Sequence, residues 1–190
     1  IYVQDGVYDA FAAKLAERVK KLVVGKGTDA GVTVGPLIDE QGMKKVEEHV
    51  ADALAKGAKV VTGGKRVAQG GLFYEPTLLT GVTTEMKVAR EETFGPVALL
   101  FRFKTEEEAL ALANDTEFGL AGYFYARDVG RVMRVAEGME TGMVGVNVGI
   151  LANEVAPFGG VKQSGLGREG SKYGVDDFLE IKYVCLGGIQ

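Results

Sequence analysis

The residues best suited to chemistry in this sequence form one short run near its middle, from Glu91 to Pro96. Pro96 has no N–H and moves the residue before it away from the helical region, so the run predicts a rigid turn that leads into a strand. On such a turn, the Glu92 carboxylate can accept two hydrogen bonds from a vicinal diol, and the Phe94 ring can pack against a flat heterocycle. That pairing suits the ribose and nicotinamide of a dinucleotide. The competing interpretation, a solvated glutamate pair and a core phenylalanine, is the more common one for these residue types.

Other reactive residues offer no nucleophile–base pair and no metal-ligand motif. The only cysteine, Cys185, lies in an apolar run and is interpreted as a packed side chain. The only histidine, His49, lies on the flank of a helical apolar stripe and is interpreted as structural. The run Gly165–Gly170 matches G-x-G-x-x-G, but no strand precedes it, so it predicts a close approach of backbones rather than a phosphate site.

Composition limits the function classes. The 190 residues are 46% hydrophobic and 25% charged, as in ordinary globular proteins. A net charge of −4, with no Lys/Arg run longer than two, argues against nucleic-acid binding. No apolar run is long enough to predict a membrane span, and no secretory signal is seen. A single cysteine favours a reducing compartment, so a cytoplasmic location is expected. The sequence starts without Met, so we expect a piece of a longer polypeptide.

Hydrophobic periodicity predicts amphipathic helices that alternate with short apolar strands. The predicted helices cover 8–23, 40–56, 106–113 and 129–137. The predicted strands cover 1–4, 59–62, 73–79, 97–103, 120–126, 143–148 and 181–186. The buried stripe expected on the first helix is Tyr8, Phe11, Leu15, Val19 and Leu22. The stripe expected on the second helix is Met43, Val46, Val50, Ala53 and Leu54, with Asp39 as its N-cap and Gly57 at its end, and Asp128 is expected to cap the fourth helix. The alternation favours an α/β fold with a mainly parallel sheet flanked by helices. Residues 151–174 predict a long Gly-rich loop, and the strand near the end leaves an open edge for pairing with another chain.

Linked motifs give a resemblance to a known family. Glu91–Val97 resembles the E-E-x-F-G-P-V signature of aldehyde dehydrogenases, and Asn114–Ala121 resembles that family's N-x-x-x-x-G-L-[AS] segment. Gly142–Asn147 and Pro157–Gly170 continue the likeness in the same order and spacing. Within the family, Ser164–Gly174 and the run 180–185 are most similar to succinate-semialdehyde dehydrogenases.

The resemblance implies an NAD- or NADP-dependent oxidation of an aldehyde to an acid. In the family, a cysteine thiolate attacks the aldehyde, hydride passes to the nicotinamide, and a glutamate-activated water cleaves the thioester. The resemblance places both of these catalytic residues upstream of this sequence, so none is assigned here and the 190 residues alone are expected to be inactive. It divides the chain into the C-terminal part of a catalytic domain, 1–148, and a C-terminal loop with an oligomerisation strand, 149–190. A homo-oligomer, dimer or tetramer, is implied through that strand.

Site residues are carried over by position. Glu92 resembles the ligand of the nicotinamide-ribose hydroxyls, Phe94 the residue beside the nicotinamide, and Phe158 an aromatic residue of the substrate tunnel. Asn147, in a family signature, is assigned structural support. At position 152 succinate-semialdehyde members commonly have a serine that helps to bind the substrate carboxylate, whereas this chain has Ala152. The missing hydrogen bond is worth on the order of 1.5–3 kcal/mol.

The departure at position 152 leaves the substrate open. Asn153 can supply the missing contact, or the substrate is a longer acid such as glutarate or 2-oxoglutarate semialdehyde. A different class of function also stays open, in which the chain is a stand-alone, non-catalytic assembly module that pairs through its terminal strand.

Overall fold

The architecture alternates helices and strands in two units, Ile1–Ala109 and Leu110–Gln190. It is given by a computed structural model that describes residues 1–68 and 70–189. The helices are α1 (Tyr8–Val19), α2 (Glu40–Ala55), α3 (Glu106–Asn114) and α4 (Val129–Gly138). The strands are β1 (Tyr2–Gln4), β2 (Lys59–Thr62), β3 (Thr77–Thr80), β4 (Val97–Leu99), β5 (Phe101–Phe103), β6 (Phe118–Gly119), β7 (Ala121–Phe124), β8 (Met143–Val146) and β9 (Val161–Lys162). The predicted α/β fold class is confirmed.

Strand β3 lies at the centre of the first unit. It pairs antiparallel with β2 and parallel with β4, while β1 pairs parallel with β5. The prediction of one continuous strand over 97–103 is therefore wrong, because the run changes partner between β4 and β5. Leu100 lies at the change, and its N–H donates to the carbonyl of Leu79 over 3.0 Å.

The two faces of this sheet are covered by different helices. Leu78 and Leu79 are neighbours on β3, so their side chains leave opposite faces, and both are fully buried. Leu78 packs with buried residues of α1, and Leu79 packs with buried residues of α2. Burial on both faces explains why the strands are apolar runs rather than alternating patterns.

Helix α2 forms as its sequence predicts. The Asp39 side chain caps it by accepting from the N–H of Gly42 at 2.7 Å, and Gly57 ends it with φ of +99°. The buried stripe contains the predicted Met43, Val46, Val50 and Ala53, and His49 joins it; the predicted Leu54 is exposed.

Helix α1 differs from its prediction in length and in buried face. It ends at Val19, four residues early, and its buried residues are Tyr8, Ala12 and Ala16. Phe11 and Leu22, both predicted to be buried, are 39% and 42% exposed. The small alanines at steps of four let the helix lie close to the sheet, so the larger side chains fall on its flank.

The second unit is built on a β7–α4–β8 motif, in which β7 and β8 pair in parallel. Asp128 caps α4 by accepting from the N–H of Arg131 at 2.8 Å, as predicted. Antiparallel β6 and β9 pair residues 118–119 with 161–162, so the predicted long loop over 151–174 contains a short strand.

The C-terminal run does not form the predicted strand within the described chain. Residues 181–186 have no ladder, and Ile181 and Tyr183 are 100% and 87% exposed. Cys185 is also exposed, so its interpretation as a packed thiol is wrong for this chain. The physical reason is that an apolar extended segment becomes a strand only where a partner edge is available, and its own chain supplies none among the described residues. The predicted pairing with a second chain stays a prediction.

Candidate functional site

The loop 91–96 presents the two side chains predicted to contact a dinucleotide. Glu92 is exposed, and Phe94 is 79% exposed with a left-handed φ of +51°. Among the residues that the structure describes, the Glu92 carboxylate has no hydrogen-bond or ion-pair partner, so both of its oxygens can accept. An exposed aromatic ring in a sparsely populated backbone region needs fixed neighbours, because that conformation costs about 1 kcal/mol or more.

Those neighbours come mainly from α2, which runs beside the chain that leads into the loop. The ammonium of Lys56 donates to the carbonyl of Glu85 at 2.7 Å, and the Asp52 carboxylate accepts from the backbone N–H of Lys87 at 2.8 Å. The side chain of Lys87 makes an ion pair with Glu48. Residues 85–87, just before the loop, are therefore bonded to side chains from successive turns of α2 and its C-terminal end.

Charge pairing along this helix shifts the titration of the groups involved. The Lys56 ammonium, and then the Lys87 N–H, hold the pKa of Asp52 below its usual value. A hydrogen bond from Lys87 lowers the pKa of Glu48, and the same bond raises the pKa of Lys87. The lowered pKa values of Asp52 and Glu48 and the raised pKa of Lys87 all favour the charged forms that make these attachments.

His49 contacts the loop itself from the same helix. Its side chain is buried, and Nδ1 lies 3.0 Å from the Thr93 hydroxyl while Nε2 lies 3.3 Å from a Glu91 carboxylate oxygen. One turn earlier, Val46 lies directly under Gly95: a Cβ at position 95 would be 2.4 Å from Val46 Cγ2. The glycine is thus required by a close approach of the loop to α2.

The far end of the loop is fixed by the sheet. The carbonyl of Pro96 accepts from the N–H of Thr77 at 2.8 Å, immediately before β4 begins. Glu92 and Phe94 therefore project from a turn that is anchored before, within and after the pair, as the proline and the flanking strand predicted.

Phe158, Ala152 and Asn153, the predicted substrate residues, lie together in one loop of the second unit. Ala152 and Asn153 are exposed and Phe158 is half-buried. Phe158 exchanges two backbone hydrogen bonds of 2.8 Å with Glu169, which fixes its place in the loop. The Asn153 Oδ1 accepts from the N–H of Val155 at 3.1 Å, so the amide is oriented by its own turn and its NH₂ group is left to donate.

The Gly-rich run behind this loop is a crossing of backbones, as predicted. A Cβ at Gly159 would lie 2.2 Å from the carbonyl oxygen of Gly167. The guanidinium of Arg168 donates to the carbonyls of Gly160, Leu166 and Gly167 over 2.6, 2.9 and 3.0 Å. A phosphate-binding turn uses its backbone N–H groups, whereas here the backbone carbonyls are bound by an arginine of the same chain. This arrangement indicates a structural role for the run.

Asn147 has the structural role predicted for it. It adopts a left-handed φ of +57°, its amide NH₂ donates to the carbonyl of Ala126 at 2.8 Å, and its Oδ1 accepts from the N–H of the same residue at 3.0 Å. This pair ties the end of β8 to the end of β7.

The sequence did not predict the contact of His49 with Thr93 and Glu91. His49 was placed on the flank of the helical stripe as a structural residue, and these partners lie 44 and 42 residues further along the chain. The only available signal was that a buried imidazole requires partners for both nitrogens. In the part of the chain that the structure describes, no group of three or more His, Cys, Asp or Glu residues is placed to bind a metal, and no helix has the length and apolarity to cross a membrane.

The sequence of this chain is similar to those of known proteins. The model of the aldehyde dehydrogenase family matches residues 1–184. The chain is 66% identical over 190 residues to a 3-sulfolactaldehyde dehydrogenase of Pseudomonas putida, covering 100% of this chain and 39% of the relative. It is 66% identical over 189 residues to a glutarate-semialdehyde dehydrogenase of Pseudomonas aeruginosa, covering 100% and 39%. It is 65% identical over 187 residues to the NADP⁺ succinate-semialdehyde dehydrogenase GabD of Escherichia coli, covering 98% and 39%.

Solved structures agree with the fold. The crystal structure of a succinate-semialdehyde dehydrogenase from Burkholderia pseudomallei superposes with a TM-score of 0.95 at 67% identity, covering 97% of this chain and 38% of that one. A betaine aldehyde dehydrogenase of Staphylococcus aureus, solved with NAD⁺, superposes with a TM-score of 0.88 at 42% identity, covering 94% and 36%. The chain thus spans about two fifths of the length of the relatives it matches.

Proposed function

The chain belongs to the aldehyde dehydrogenase family, and we propose that it is the C-terminal part of an NAD- or NADP-dependent dehydrogenase that oxidises succinate semialdehyde to succinate. The reaction proceeds through a thiohemiacetal and a thioester on a cysteine that precedes this segment, as the family resemblance implies. The observation that carries the proposal is the 91–96 loop, where an open carboxylate and an exposed ring are presented on a buried support.

The residues of the loop fit the cofactor. A nicotinamide dinucleotide supplies a hydride acceptor with a ribose diol beside a flat ring. Among the described residues none occupies the two oxygens of the Glu92 carboxylate, which suit that diol, and Phe94 offers an exposed ring to the nicotinamide. In this assignment, Glu92 orients the ribose and Phe94 limits the positions that the ring can take. Both effects favour one geometry for hydride transfer and so raise its rate.

The relatives and the second unit support the proposed substrate class. The three relatives are named for aldehydes that carry a sulfonate or a carboxylate. An acid group requires hydrogen-bond donors, and the Asn153 NH₂ group is an oriented donor in the loop that also carries Phe158. Ala152 provides no hydroxyl there, which keeps glutarate and 2-oxoglutarate semialdehydes as the alternative substrates.

The remaining assignments are part of the same proposal. Residues 1–148 belong to the catalytic domain, and residues 149–190 form a C-terminal loop with a segment for oligomerisation. The exposed apolar side chains over 181–186 support pairing with a second copy, since strand pairing would cover them. The enzyme is placed in the cytoplasm. The same exposed run is the observation that favours the second candidate, a stand-alone assembly module without catalytic activity.

The proposal is tested with the full-length polypeptide that carries these residues. NAD(P)H formation is followed with succinate, glutarate and 2-oxoglutarate semialdehydes, with NAD⁺ and with NADP⁺. The highest kcat/KM is expected for succinate semialdehyde; a higher value for a longer acid would reassign the substrate. Absence of activity with every pair would contradict the enzyme proposal.

Two further measurements separate the candidates. The 190-residue chain alone is expected to form no NAD(P)H, and turnover by it would overturn the division of roles. The intact mass of the native protein distinguishes the dehydrogenase from the assembly module. A mass of about 20 kDa, that of this chain, would favour the assembly module.

A further inference from the structure

The imidazole of His49 is held between two residues that flank Glu92 in sequence. Nδ1 lies 3.0 Å from the Thr93 hydroxyl, and Nε2 lies 3.3 Å from a Glu91 carboxylate oxygen. The ring is 1% exposed and Thr93 is 9% exposed, whereas the Glu91 side chain is 54% exposed. The Thr93 contact is therefore the one shielded from water.

The chemistry of the partners fixes how the ring is used. A carboxylate can only accept, so Nε2–H donates to Glu91, while Nδ1 and the Thr93 hydroxyl share one hydrogen bond. Both ring nitrogens then have a partner in the loop. A shielded hydrogen bond of this kind is costly to break, because the imidazole nitrogen would be left buried without a partner.

The position of these bonds along the chain gives them their significance. They pin residues 91 and 93, while the Glu92 side chain between them stays exposed. Phe94, the next residue, has the left-handed φ of +51°. Such a conformation persists only where the surroundings over-determine it, and the Thr93 anchor lies directly before it.

We propose that His49 is a positioning residue that, through Thr93 and Glu91, sets the pose of Glu92 and Phe94 toward the dinucleotide. This inference rests on the proposed function, in which those two side chains contact the cofactor. It gives a role to the one histidine of the chain that packing alone does not explain, since an aliphatic side chain would fill the same place on α2 without ordering the loop.

The test uses conservative variants of Thr93 in the full-length enzyme. Thr93→Val keeps the shape of the side chain and removes the hydroxyl, and we expect the Kd and KM for NAD(P)⁺ to rise about tenfold. The single-turnover rate at saturating cofactor should also fall, while the KM for the semialdehyde stays within about twofold. Thr93→Ser restores the hydroxyl and should return the cofactor constants to near wild type. His49→Phe, which removes both bonds at similar volume, should weaken cofactor binding at least as much as Thr93→Val.

The matched control is Thr83→Val, the same substitution at an exposed threonine whose hydroxyl has no partner among the described residues. A merely structural role would lower the melting temperature of Thr93→Val but leave cofactor Kd unchanged, and that result would overturn the inference. Glu92→Gln separates the role of His49 from the cofactor assignment of the loop. If Glu92→Gln changes cofactor binding and Thr93→Val does not, only the role of His49 fails; if neither does, the cofactor assignment of the loop fails as well.

Discussion

Replacing Gly95 with alanine tests whether the 91–96 loop depends on close contact with α2. The added Cβ would lie 2.4 Å from Val46 Cγ2 and 3.6 Å from Leu37 Cδ2. Val46 is fully buried, and a valine in a helix has one strongly preferred side-chain rotamer, so it cannot turn aside. Overpacking of this kind typically costs about 1–3 kcal/mol. We expect Gly95→Ala to be destabilised by that amount and to bind the cofactor more weakly, because the loop is the part that can shift.

A double-mutant cycle can show that the loss of stability in Gly95→Ala comes from the contact with Val46. Val46→Ala removes both γ carbons and by itself should cost about 1–3 kcal/mol, from lost burial and the cavity left behind. It also removes the atom that the new Cβ would meet. The double variant should therefore be more stable than the sum of the single effects predicts, by about 1–2 kcal/mol.

The assay is urea denaturation of the full-length enzyme, with the Kd for NADH and for NADPH measured by fluorescence titration. Gly35→Ala is the matched control, since a Cβ there would meet no heavy atom within 4 Å and the glycine does not have a positive φ. Additivity of the two single effects to within about 0.5 kcal/mol would refute the reasoning. So would a Gly95→Ala variant that cannot be told from Gly35→Ala.

Three other changes have defined outcomes. Glu92→Gln should slow single-turnover hydride transfer and raise the cofactor Kd about tenfold, because one charge-assisted acceptor is lost; unchanged kinetics would count against the ribose contact. Asp52→Asn should lower the melting temperature at pH 7, and since the folded pKa of Asp52 is depressed, its stabilisation is present above the unfolded value of about 3.9 and is lost as the pH falls through the folded pKa. The difference between wild type and variant should thus narrow below about pH 4, and an equal difference at pH 3 would contradict this. Asn147→Ala should be less stable than Asn147→Gly by about 1 kcal/mol, because both lose the two bonds to Ala126 but only alanine is strained at a φ of +57°; equal melting temperatures would argue against that strain.

The sequence predicted those features that depend on local chemistry. Asp39 and Asp128 as caps, and Gly57 as a helix end, depend on residues within one or two turns of one another, so local patterns suffice. The turn at 91–96 was likewise predictable, because Pro96 restricts its own φ and the conformation of the residue before it.

Features that depend on distant parts of the chain were predicted poorly. The buried face of α1 is set by what the sheet can accept, and Ala12 and Ala16 fit closer to it than Phe11 does. The interruption at Leu100 arises because β4 and β5 have different partners, which no periodicity within 97–103 encodes. The contacts of His49 join residues more than 40 positions apart, so the sequence favoured a structural histidine but did not indicate its partners.

The attachment of the chain before the 91–96 loop to α2 also has a dynamic consequence. The backbone N–H of Lys87 is bonded to the Asp52 side chain rather than to a strand, so its protection from hydrogen exchange depends on that helix. Local openings in proteins follow cooperative units, and here the unit joins a helix to a segment 30 or more residues later. In native-state exchange, the amide of Lys87 should open with the same free energy as the middle of α2. The short 3₁₀ turn that begins at Lys87, ahead of the loop, would then have the slow exchange of the helix to which it is bonded.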